Sequence, residues 1–264
     1  MSHRVFAITS VYENPELLPH FVDHYARLGV DRILIVLRTP RREESLCHAF
    51  VSANSCPTAV SWFPCNHFAD ADKAEVEERV LRENGVRPDD YVMHLDLDEF
   101  HEYPVPIISI VEVMSRKRNW ALRGWLVDRI AEGGVLAPVR STFDIGEQYP
   151  IGCDVTKNLL KACTQKIMLC QARVRLRDGI NHDTCNAFYE KIPFGRIEDY
   201  VVHHFKWTDG VEARLRARLD GPSVGPEYRR ECHRFLECIR TTGKLDLSAP
   251  GLMPRWLGAL RYPM

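Results

Sequence analysis

Four short apolar runs, separated by polar or helically spaced segments, set the pattern of the first hundred residues. Val5-Phe6-Ala7-Ile8 stops at Thr9-Ser10, as a strand buried on both faces does. Asn14 then reads as a helix cap, with Pro15 at the first helical position and Glu16 near the positive end. Leu17, Leu18, Phe21, Val22, Tyr25 and Leu28 form one apolar stripe, closed by Gly29. Residues 33–37 are a second buried strand, and strand, helix, strand with short links predicts a right-handed βαβ unit.

The alternation continues with a strand over residues 59–63 and a charged helix over 72–84 that ends at Gly85. Pro88-Asp89-Asp90 is a turn, and a fourth strand over 91–95 runs on into Asp96-Leu97-Asp98-Glu99-Phe100. A helix over 107–118 and a strand over 121–127 follow, then a long loop over 133–152. Ala172, Val174 and Leu176 alternate with Arg173, Arg175 and Arg177, which predicts a strand with one basic face. Residues 200–205 fit a strand, 211–219 and 227–240 helices. The last twenty residues keep Leu252, Trp256, Leu257 and Leu260 and are expected to dock on the body. The class is α/β, a mixed, mostly parallel sheet flanked by helices. A main domain spans 1–220 and a helical extension with a docked tail spans 221–264.

Composition narrows the function. At 264 residues with 45% hydrophobic residues, the chain can bury a substantial core. A net charge of −1, from 35 basic against 36 acidic residues, argues against a nucleic-acid binder. No apolar run reaches the roughly 20 residues that span a bilayer. Met1-Ser2-His3-Arg4 leads straight into a strand, so no secretory leader is expected. Nine scattered cysteines form neither an even disulfide framework nor a zinc clip, which suggests a reduced, cytoplasmic protein.

The strongest local chemistry is Asp96-Leu97-Asp98-Glu99. These carboxylates sit at the carboxyl end of the fourth strand, where open α/β sheets bind ligands, and alternation turns Asp96 and Asp98 to one side. Carboxylates so close repel unless a cation or hydrogen-bond donors offset them. Mn²⁺ or Mg²⁺, with a diphosphate completing its shell, suits such oxygens. Asp128, just past the strand over 121–127, is a candidate general base, with an ion pair to Arg123 or Arg129 as the alternative. His182 beside Asp183 is a second acid/base candidate. Adjacent His203 and His204 point to opposite faces if they lie on a strand, so one is a candidate ligand and the other structural. No glycine follows Ser10 through Pro15, so a Gly-rich phosphate loop is absent there.

Residues 91–100 resemble the Asp-x-Asp strand of the GT-A glycosyltransferases. Glu13-Asn14 and Leu28-Gly29-Val30-Asp31-Arg32 are similar to the family 2-like and family 92-like branch. Further blocks that resemble bacterial members are residues 124–129, Gln148-Tyr149-Pro150 and Val202-His203-His204-Phe205-Lys206-Trp207. The resemblance implies a Rossmann-like nucleotide-sugar domain that transfers a sugar from a nucleoside diphosphate to a hydroxyl or amine of a small-molecule, glycan or peptide acceptor. Asp98 would bind the metal, Asp96 the ribose or a metal-bound water, and His203 or His204 would complete the shell. Ser10, Glu13, Lys206 and Trp207 would contact the donor, the last two as phosphate cation and stacking ring. One departure is Leu37-Arg38-Thr39-Pro40, where many relatives place an aspartate. A non-catalytic nucleotide-sugar binder, a nucleotidyltransferase and a phosphohydrolase are the alternatives.

Overall fold

The computed structural model describes residues 3–12, 15–39, 56–65, 70–176, 182–184, 192–220 and 225–263. In chain order the first elements are β1 (Val5–Val11), α1 (Leu18–Leu28), β2 (Arg32–Leu37), β3 (Thr58–Trp62), α2 (Asp70–Glu83), β4 (Tyr91–Leu95), β5 (Glu99–Glu102) and α3 (Ile107–Lys117). Then come β6 (Ala121–Ile130), α4 (Ile145–Gln148), β7 (Ile151–Cys153), α5 (Val155–Asn158), β8 (Gln165–Gln171), β9 (Val201–His204), α6 (Val211–Asp220), α7 (Pro226–Ile239) and β10 (Arg255–Trp256). The chain divides into two units: Met1–Trp125, Gln165–Val202 and Tyr262–Met264 form the first, Leu126–Thr164 and His203–Arg261 the second. Residue 220, the expected boundary, is the last residue of α6, inside the second unit.

The first unit is built on β1. Six of its seven residues are buried, and it pairs in parallel with β2 on one side and β4 on the other. β3 joins β2 in parallel, while β8 runs antiparallel to β4 and the first half of β6 antiparallel to β8. The strand order is therefore β6-β8-β4-β1-β2-β3. This is the mixed sheet expected from the apolar runs, and the Rossmann-like class that the resemblance implied. The chain builds outward from β1 to β3 and then returns to β4 on the far side of β1. With right-handed crossovers, α1 and α2 must cover opposite faces. On the α2 face, Val80 and Leu81 pack on Phe6, Ile8, Leu34, Val36 and Val92. Each such burial stabilises by roughly 1.5–3 kcal/mol.

At the start of α1 the chain takes a 3-10 turn over Pro15–Leu17; the expected cap, Asn14, lies outside the described residues. Gly29 ends α1 as expected, at φ 87°, in the left-handed region that favours glycine.

In the second unit, β7 pairs antiparallel with the second half of β6, and β10 with β7, so the tail docks by adding a strand. The core gathers Ile130, Val155, Leu160, Trp207, Leu215, Phe235 and Ile239 beneath the C-terminal helices α6 and α7. Residues 133–152 are not a bare loop, since α4 falls within them and β7 begins there. The strand expected over 172–177 is corrected: the strand is β8, which ends at Gln171, and residues 172–173 turn. β8 is buried along all but its first residue and shows no alternation to read. Among the described residues no helix is long and apolar enough to cross a membrane.

Candidate functional site

Strand order reverses between β1 and β4, and ligands of open α/β sheets bind in the crevice beyond the carboxyl ends at such a reversal. Ser10 lies near that end of β1 and His94 near that end of β4. Both share alternation with the residues that α2 covers, Phe6, Ile8 and Val92, and so face α2. A crossover helix runs antiparallel to its strands, so α2 begins at the same edge and delivers Lys73 and Glu77 there, four residues apart on one face.

These side chains interlock. Glu77 is a buried residue; its carboxylate accepts from Ser10 Oγ at 2.9 Å, and its other oxygen lies 3.1 Å from His94 Nδ1. One helical turn earlier, Lys73 Nζ donates to Asp96 Oδ1 at 2.6 Å. From β8, Lys166 Nζ donates to Asp96 Oδ2 at 3.3 Å and lies 2.5 Å from Glu99 Oε1. Arg38, buried just past β2, lies 3.7 Å from Asp72 at the start of α2.

Electrostatics holds this cluster charged. Burial would raise the Asp96 carboxyl, but Lys73 and Lys166 outweigh it and keep the group well below the usual carboxylate range. Burial likewise opposes the charge on both lysines. Asp96 and Glu77 beside Lys73, and Glu99 and Asp96 beside Lys166, hold both ammoniums above the ordinary lysine value. Asp96 is the open member: its side chain is 42% exposed, against 4% and 7% for the two lysines.

The geometry corrects several expectations. β4 stops at Leu95, and residues 96–98 form a turn closed by the Glu99 N–H to the Asp96 carbonyl at 3.0 Å. Strand alternation therefore does not pair Asp96 with Asp98, and Asp98 sits half-buried in the turn. Asp96 does not fit a metal ligand as it is held, because each oxygen already accepts from an ammonium. The cation that offsets its charge is lysine. Among the described residues no three His, Cys, Asp or Glu side chains gather as a metal-holding group. Ser10 joins the cluster; Glu13 lies outside the described residues.

The remaining candidates of the first unit are His182 and its neighbour. His182 Nδ1 lies 2.7 Å from the Gln165 carbonyl, and Asp183 pairs with Arg123 at 2.7 Å.

In the second unit Asp128 is 1% exposed, which corrects its reading as a general base, a group that must reach an acceptor's proton. It accepts from the Thr156 amide at 2.6 Å, Thr156 Oγ1 at 2.8 Å and Trp207 Nε1 at 2.8 Å, and lies 3.0 Å from His204 Nδ1. Neither expected ion pair forms: Arg123 holds Asp183, and Arg129 donates to the carbonyls of Tyr149 and Gly146 and to His203 Nδ1 at 3.2 Å. His203 and His204 thus meet different partners, as adjacent strand residues do. Trp207 is not an open stacking ring; it is fully buried and stacked on Phe235 at 4.3 Å. Lys206 lies over the rings of Trp207 and Tyr228, at 5.4 and 5.3 Å.

Lys73, Glu77, His94 and Lys166 were missed in the sequence. One signal was available: Lys73 and Glu77 share the stripe of Val76 and Val80, which a purely structural helix would keep apolar.

No protein-family model matches the chain, and no characterised protein compared with it is similar in sequence. Solved structures do show a likeness. The 4-diphosphocytidyl-2C-methyl-D-erythritol synthase of Anaerococcus prevotii DSM 20548 is 10% identical, with a TM-score of 0.37 over 66% of this chain and 73% of that one. A second 4-diphosphocytidyl-2C-methyl-D-erythritol synthase is 15% identical, with a TM-score of 0.36 over 66% and 76%. Both are named for a diphosphocytidyl product, and neither is a glycosyltransferase. The expectation of glycosyl transfer is corrected accordingly.

Proposed function

We propose that this chain is a nucleotide-binding transferase of the nucleotidyl-transfer class, with the ligand's phosphates meeting Lys73 and Lys166. The observation that carries the reading is the pair of buried ammoniums at the strand-order reversal, both bonded to one half-exposed carboxylate. A desolvated ammonium needs an anion beside it at all times. Asp96 supplies one in the ligand-free state, and its exposure gives it room to turn outward. A phosphate oxygen then takes its place, and neither lysine loses its partner. In nucleotidyl transfer an acceptor oxygen attacks the α-phosphorus and pyrophosphate leaves. Fixed ammoniums at the departing phosphates stabilise the charge that develops there.

Asp96 acts as a placeholder in this account, and that gives the test a definite sign. Calorimetry with nucleoside triphosphates, cytidine triphosphate among them, is expected to show binding. Asp96→Asn, which removes the competing charge, should tighten it. Lys73→Met should weaken it roughly 10- to 100-fold, the worth of one hydrogen bond to a charged group. Weaker binding in Asp96→Asn, lost also when Mg²⁺ is chelated, would return Asp96 to metal ligation. No measurable affinity for any nucleotide would end the nucleotidyl reading.

A further inference from the structure

We propose that His94 is the proton acceptor of this site, that Glu77 is its positioning residue, and that the acceptor substrate attacks through a hydroxyl group. The inference rests on the nucleotidyl-transfer reading and gives that site its acceptor class.

The geometry begins with Glu77. Its carboxylate lies between Ser10 Oγ and His94 Nδ1, at 2.9 and 3.1 Å, with the glutamate side chain 4% exposed. A carboxylate accepts, so the serine hydroxyl and the imidazole Nδ1–H both donate to it. That fixes the neutral ring in one tautomer, with the lone pair on Nε2. The order of groups differs from a nucleophilic triad. There the histidine stands between carboxylate and serine, whereas here the carboxylate stands between serine and histidine, so Ser10 steadies Glu77 and is not activated for attack. His94 is more open than the carboxylate that holds it, with 13% of its side chain exposed against 4% for Glu77.

The placement gives this pair a task. His94 leads into the turn that carries Asp96, and Glu77 lies one helical turn from Lys73. The charged groups joined around Asp96 are Lys73 and Lys166, with Glu99 beside Lys166. The two cations are matched to phosphate oxygens, and neither is placed to accept a proton while it stays charged. A phosphate dianion attacking the α-phosphorus would need no base, but a hydroxyl must lose its proton. In the step we infer, the acceptor O–H gives its proton to Nε2 as its oxygen bonds to the α-phosphorus. The bond from that phosphorus to the pyrophosphate group breaks, its electron pair leaves on pyrophosphate, and the imidazolium passes its proton to solvent.

Two measurements on the full chain test this. Long-range ¹H–¹⁵N correlation spectra should show His94 protonated at Nδ1 in the neutral ring, a preference weakened in Glu77→Gln and kept in Glu77→Asp. Pyrophosphate release should then be followed with cytidine triphosphate and paired acceptors, sugars and polyols against their phosphomonoesters. Hydroxyl acceptors should support turnover. His94→Gln should lower kcat by roughly a hundred- to ten-thousand-fold, with the nucleotide Kd changed less than about threefold. An Nε2–H tautomer in the wild type, or His94→Gln turning over normally while the nucleotide still binds, overturns the inference alone. Failure of every nucleotide to bind overturns the underlying reading and this inference with it.

Discussion

Asp128 illustrates how burial decides what a side chain does. Four donors surround a carboxylate that reaches almost no solvent, and three of them fix other parts of the unit. The Thr156 amide and hydroxyl hold the start of α5, and the Trp207 indole carries the ring stacked on Phe235. A general base must reach an acceptor's proton, and this oxygen pair is committed to donors already. We expect Asp128→Asn to act on stability, because its amide would present a donor to at least one of those donors. A loss of about 2 kcal/mol follows from one unsatisfied buried partner. At this chain length that lowers the melting temperature by roughly 4–8 °C. Calorimetric melting checks it, and a midpoint within a degree of the wild type would show that the hub is dispensable.

At the scale of elements, the turn before β4 is fastened by another buried carboxylate. The Asp90 side chain is fully buried; Arg4 and Arg87 reach it at 2.6 and 2.8 Å, and both their backbone amides donate to it as well. The clamp ties the turn to the chain entering β1. Burial would raise the Asp90 carboxyl, but the bonds from Arg87 and Arg4 hold it far below the carboxylate range. A depressed folded-state value means that the stabilisation is complete above the unfolded value, about 3.9, and disappears as pH falls from there toward the folded value. Urea midpoints between about pH 5 and 2 should therefore fall more steeply for the wild type than for Asp90→Asn. The variant should already lack about 2 kcal/mol at neutral pH; parallel pH curves would rule the clamp out. The same elements show what the sequence made legible. The central strands and their helices were readable, because parallel strands buried on both faces give unbroken apolar runs bounded by turns. β8 was not, because its apolar run is short, bounded by Gln165-Lys166 and Gln171, and the arginines just beyond mimic alternation. Asp96 was singled out by its place at a strand end and Ser10 by the resemblance alone. Their partners were not, since nothing local pairs Lys73 with Asp96 or Glu77 with His94.

Over the whole molecule, each unit has its own buried core, and the candidate site belongs entirely to the first. A net charge of −1 spread over 264 residues leaves no global field to gather anionic ligands, so affinity for phosphate must come from locally fixed cations. Lys73 on α2 and Lys166 on β8 are such cations, and they meet only because β4 places Asp96 between them. Ser10 and Glu77 add β1 to the same assembly. A ligand there engages four stretches of chain at once: residues 5–11, 70–83, 91–102 and 165–171. Amide hydrogen exchange with saturating nucleoside triphosphate should slow in all four together, because binding the folded form suppresses every opening that disrupts the site. Lys73→Met should reduce the protection across the whole set in proportion to its weaker binding, including residues 165–171, which the substitution does not touch in sequence. Protection confined to residues 70–83 would mean that the helix alone meets the ligand. Protection centred on residues 126–164 and 203–261 would place the nucleotide in the second unit, and Lys73, Asp96 and Lys166 would then be a structural ion cluster that pins α2 and β8 to the end of β4.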